Sequence, residues 1–93
     1  MADSRLEATV RGMVQGVGFR ASARRAANRL SVTGWVRNEP DGSVFTVAEG
    51  EPPALEDYLA FLHEGPASAR VTDVASEWKE ATGEFNGFTI RYH

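Results

Sequence analysis

Between Leu6 and Val14 the chain alternates: Leu6, Ala8, Val10, Gly12 and Val14 fall on one side of an extended backbone, Glu7, Thr9 and Arg11 on the other. A period of two predicts a half-buried strand. The run Gln15-Gly16-Val17-Gly18-Phe19-Arg20 is too rich in glycine to continue it. Beyond the run the period lengthens. Phe19, Ala23, Ala26, Ala27 and Leu30 recur at helical spacing, with Arg24, Arg25, Asn28 and Arg29 mainly on the opposite side. The first unit therefore reads as strand, loop, helix.

Alternation returns from Val32 to Asn38, which places Val32, Gly34, Val36 and Asn38 on one face and Thr33, Trp35 and Arg37 on the other. Pro40-Asp41-Gly42 then signals a turn, because proline presets φ early in a turn and glycine accepts φ > 0. With Ser43 to Ala48 as the returning strand, residues 32–48 read as a hairpin. Pro52-Pro53 opens a second helix, carried by Leu55, Tyr58, Leu59 and Leu62 and ended by Gly65-Pro66. Arg70 to Trp78 is a weaker strand, where Val71 and Val74 break strict alternation and suggest a bulge. Phe88, Ile90 and Tyr92 alternate at the end. The order is βαββαβ, the last region open to division in two. It predicts an α+β fold, a two-layer ferredoxin-like sandwich whose mainly antiparallel sheet carries two helices on one face.

Composition narrows the function classes. Ninety-three residues suffice for one domain, residues 1–93, that buries about 60% of its unfolded surface. Apolar content of 42% and charged content of 25% are those of a globular protein, so disordered and collagen-like classes drop out. A net charge of −3 argues against nucleic acid as a partner and makes any anion site local. The absence of cysteine removes disulfides, thiolate zinc sites and a cysteine nucleophile. Residues Met1 to Arg5 are polar and the longest apolar run in the carboxyl half is Leu59 to Leu62, so a cytoplasmic protein without a membrane span is expected. His63 and His93 have no partner at metal-ligand spacing, and neither a metal nor a cofactor is expected. Glu49, Glu51, Glu56 and Asp57 read as surface around the second helix.

The glycine loop is the first candidate site. Gly16 and Gly18 sit between a strand and a helix, where successive N–H groups can converge on an anion at the helix amino terminus. Arg20 adds a fork of donors suited to phosphate oxygens. The same loop also reads as a tight turn. A dinucleotide fingerprint is superficially met by Gly16 to Ala21, but no second parallel βα unit follows. Asn38, the last inward residue of its strand, has two readings as well: a residue that starts the turn by bonding its own backbone, or an amide that reaches the loop between the first strand and helix.

Gly12-Met13-Val14-Gln15-Gly16-Val17-Gly18-Phe19-Arg20 resembles the first acylphosphatase signature, and Gly34-Trp35-Val36-Arg37-Asn38 through Gly42, Val44 and Gly50 resembles the second. The similarity spans essentially the whole chain. It implies hydrolysis of the carboxyl–phosphate bond of an acyl phosphate, with inorganic phosphate as product and no metal. It gives Arg20 the substrate phosphate, Asn38 the attacking water, and Gln15, Gly16, Val17, Gly18 and Phe19 the amide cradle. Ser43 supports the hairpin in this reading, and Ala21-Ser22 is plainer than in many relatives, which bears on substrate preference. A monomer is the simplest expectation. The rival reading is a non-catalytic anion- or ligand-binding module of the same fold, which would need the loop and Arg20 but not Asn38.

Overall fold

The computed structural model describes residues 2–92. The elements follow in the order β1 (Ser4–Met13), α1 (Phe19–Arg29), β2 (Thr33–Asn38), β3 (Val44–Gly50), α2 (Pro52–Glu64), β4 (Arg70–Glu80) and β5 (Phe88–Arg91). The last region is thus divided into two strands. One sheet holds all five in the order β4-β1-β3-β2-β5, and only the β2–β5 pair is parallel. This is the expected ferredoxin-like α+β fold.

The alternation that predicts β1 is what builds the core: Leu6, Ala8 and Val10 are buried, and so are Val36, Val44, Ala48 and Phe88. Against this face lie Phe19, Ala23, Ala26 and Ala27 of α1 and Leu55, Tyr58 and Leu62 of α2. Each large apolar side chain so buried contributes on the order of 1.5–3 kcal/mol, opposed by the entropy of ordering it. Alanines on α1 let that helix approach the sheet closely. The Tyr58 hydroxyl, wholly enclosed, is satisfied by Thr46 Oγ1 at 2.9 Å. The β1–β4 register slips where Arg11 faces Asp73 but Gly12 faces Val71, leaving Thr72 as the extra residue of the expected bulge.

On the other sheet face Trp35 is buried beneath the guanidinium groups of Arg37 and Arg91, at 5.0 and 4.4 Å from its ring. Glu49 corrects its surface reading. It is buried on this face, where its carboxylate accepts from Arg5 Nη1, Thr82 N and Oγ1, and Gly83 N. Four donors outweigh the cost of burial and hold its carboxyl below the usual range. The pin ties β1, β3 and the segment after β4 together.

Strand direction decides where chemistry collects. β1 and β2 both run antiparallel to β3, and β5 runs parallel to β2. Hence the carboxyl ends of β1, β2 and β5 meet at one rim of the sheet. The start of β4 joins them there, since Arg70 pairs with Met13.

Candidate active site

At that rim lies a pocket of about 160 Å³, lined by Val14, Gly16, Gly18, Phe19, Arg20, Ala21, Asn38, Ile90 and Tyr92. The loop after β1, the amino terminus of α1, the end of β2 and the end of β5 each supply part of the wall. Of the residues expected from the sequence, Gly16, Gly18, Phe19, Arg20 and Asn38 line it. Gln15 and Val17 belong to the loop but do not.

Gly16 and Gly18 adopt φ of 74° and 78°, the left-handed region that other residues avoid. A Cβ on either would touch nothing within 4 Å, so the demand for glycine is conformational and not one of space within the protein. Gly18 is the residue that caps α1, without a side-chain cap. Among the described residues, no N–H from Gln15 to Ala21 has an acceptor. Of these residues Gly16, Gly18, Phe19, Arg20 and Ala21 line the pocket at the positive end of the helix, an arrangement that suits an anion.

The loop is held from both sides. The Gln15 carboxamide donates to the carbonyls of Glu39 and Ser43, at 2.8 and 2.9 Å, and so ties the loop to the β2–β3 turn. Both hydrogens of its side-chain amide are therefore occupied in bracing. Ser68, just ahead of β4, donates its hydroxyl to the Val17 carbonyl at 2.8 Å. No sequence signal marked either clamp. Tyr92, read only as part of a strand, lies with its ring 5.0 Å from the Arg20 guanidinium, close enough for a cation–π contact that restrains the arginine.

Asn38 lines the pocket beside the loop, and its Oδ1 is not spent on the turn. The turn is formed by Asp41, whose Oδ1 accepts from Ser43 N at 2.9 Å and Ser43 Oγ at 2.6 Å. Those two bonds, with Arg11 on its other oxygen, lower the Asp41 carboxyl to about 2. Ser43 is thereby fixed as a hairpin support, as expected. Asn38 Oδ1 is left buried without a hydrogen-bond partner among the described residues. An orphaned acceptor in a pocket wall carries a desolvation cost that a bound donor, such as a water, removes.

The site therefore offers N–H donors and a guanidinium on one side and a lone amide oxygen on another, at the rim of a ferredoxin-like sheet. Known structures of this form are close. An acylphosphatase from Bacillus subtilis superposes with a TM-score of 0.92 at 32% identity, over 96% of this chain and 99% of that one. One from Coxiella burnetii gives a TM-score of 0.90 at 38% identity, over 97% and 94%. The acylphosphatase of Salinibacter ruber is 53% identical over 89 residues, 96% of this chain and 94% of its own. The family model for acylphosphatase matches residues 6–90. The chain belongs to the acylphosphatase family. It is an enzyme of that class, whose substrates are small-molecule acyl phosphates.

Proposed function

We propose that residues 1–93 act as one monomeric domain in which Arg20 and the amides of residues 15–20 hold the phosphoryl group of an acyl phosphate while Asn38 aims the water that attacks it. The buried, unpartnered Asn38 Oδ1 carries this reading. A plain anion-binding module would use the loop and Arg20 and leave that oxygen without a function.

The chemistry asks little else of the protein. In the transition state for phosphoryl transfer the charge rests on the non-bridging oxygens, where fixed N–H dipoles and a guanidinium follow it without reorganising. Water accepted by Asn38 through one O–H forms a bond to phosphorus. The bond from phosphorus to the carboxyl oxygen breaks, and its electron pair leaves with the carboxylate, a good leaving group that needs no general acid. An amide oxygen is too weakly basic to take the water's proton, so that proton passes to a phosphoryl oxygen. Carboxylate and dihydrogen phosphate result. Among the described residues, the pocket lining contains no carboxylate, imidazole or thiolate, and charge is met there by Arg20 and the peptide groups.

The test is hydrolysis of a simple acyl phosphate with excess chelator. Turnover is expected to persist unchanged. Loss of turnover on chelation would refute the metal-free course, and binding of phosphate with no turnover in any buffer would favour the binding module.

A further inference from the structure

Resting on that reading of the site, we propose that Ser68 is a positioning residue of the amide cradle: its hydroxyl, by holding the Val17 carbonyl, keeps the Gly18 N–H turned into the pocket. In a planar trans peptide the C=O and N–H point in opposite directions. The Val17 carbonyl is taken by Ser68 Oγ at 2.8 Å. The N–H across the same peptide belongs to Gly18, which lines the pocket, while Val17 does not line it and packs its side chain against the core. That N–H has no acceptor among the described residues.

The peptide between Val17 and Gly18 needs an external hold. Rotating its plane by half a turn changes φ of Gly18 from 78° to a negative value, and glycine tolerates both. A rotated plane would put a carbonyl oxygen where the anion belongs, turning a donor into a repulsive acceptor. Among the described residues, no hydrogen bond from within the loop engages this peptide to oppose the rotation. Ser68 is itself fixed at the rim: it follows Gly65-Pro66, the adjacent Ala69 N–H donates to the Pro66 carbonyl at 2.9 Å, and β4 begins at Arg70 against Met13. The clamp is thus anchored on the sheet and acts on the loop.

Removing it reduces the fraction of molecules with a competent cradle, which raises apparent dissociation constants by the inverse of that fraction and leaves the step within the complex nearly untouched. Ser68→Ala is expected to raise both KM for an acyl phosphate and the inhibition constant of inorganic phosphate by about 3- to 10-fold, the range set by one net hydrogen bond. Its kcat is expected to change by less than about twofold on the same argument. Because Ser68 is exposed and contributes no core packing, the melting temperature is expected to fall by no more than the few degrees that one hydrogen bond is worth. Ser68→Thr, which keeps a hydroxyl, is expected to restore parent constants. In a ¹⁵N-labelled sample, inorganic phosphate shifts the Gly18 amide resonance in the parent, and the variant needs more phosphate for the same shift. Parent-like KM and phosphate inhibition in Ser68→Ala would overturn the proposal, as would a loss confined to kcat. Arg20→Ala measured alongside separates the two claims. If it loses phosphate affinity while Ser68→Ala does not, only the clamp is wrong. If neither variant loses affinity, the cradle itself is misplaced.

Discussion

Asn38 and Arg20 divide the work in a way that kinetics can separate. The amide oxygen of Asn38 meets the water, which matters only as the bond to phosphorus forms. Asn38→Ala is therefore expected to lower kcat by about 10²- to 10³-fold, the usual cost of one oriented group, with KM within a few-fold of the parent. Arg20→Lys replaces a planar fork by a point charge and is expected to raise KM and phosphate inhibition constants as well as lower kcat. Steady-state rates on one acyl phosphate decide both; near-normal turnover of Asn38→Ala would remove its assigned role. Much at this scale is legible in the sequence, because glycine at positive φ and arginine after an anion loop follow from local chemistry. Asn38 is ambiguous there, since an asparagine before a turn serves equally well as a turn former until Asp41 is seen to take that task. Gln15 and Ser68 leave no trace, for their partners lie 24, 28 and 51 residues away and a donor's target at that distance has no periodicity.

Among the elements, the β2–β3 hairpin has a constraint that alternation conceals. Gly34 reads as a small inward residue of β2. Its φ is 136°, and a Cβ added there would collide with the Val47 carbonyl oxygen across the strand pair, so no side chain fits. Gly34→Ala is expected to force β2 from β3 or strain the backbone, destabilising the fold by at least about 1–3 kcal/mol. A urea midpoint equal to the parent's would contradict that. Element types and order follow from period and turn signals, apart from the division of β4 from β5 that the sequence leaves open, and the bulge follows too, since Val71 and Val74 cannot both face inward without an extra residue. Pairing does not follow. Adjacency of β1 to β4, which brings Ser68 to the loop, is set by packing over the whole sheet. Glu49 is misread for the same reason: its donors come from Arg5 and residues 82–83, far apart along the chain.

Over the whole molecule, carboxylates held by donors tie stability to pH. Asp41, Glu49 and Glu7 all have their folded values lowered, Glu7 chiefly by the Lys79 ammonium. A depressed folded value favours the native state above the unfolded carboxyl range, and the advantage disappears as protons are taken up. The melting temperature is thus expected to be flat from neutral pH down to the ordinary Glu value of 4.5 and to fall below it. Glu49→Gln, measured by thermal denaturation across pH, is expected to lower the plateau and weaken the acid decline; a decline as steep as the parent's would exclude Glu49 as a source. The loop clamps carry a different consequence, one of timing. Glu39, Ser43 and Ser68 all come later in the chain than the peptides they secure. A nascent polypeptide that stops short of β2 already contains the glycines and Arg20, yet nothing in it dictates which way those peptide planes face. The last of these clamps closes only when the stretch leading into β4 has emerged and met a residue translated 51 positions earlier.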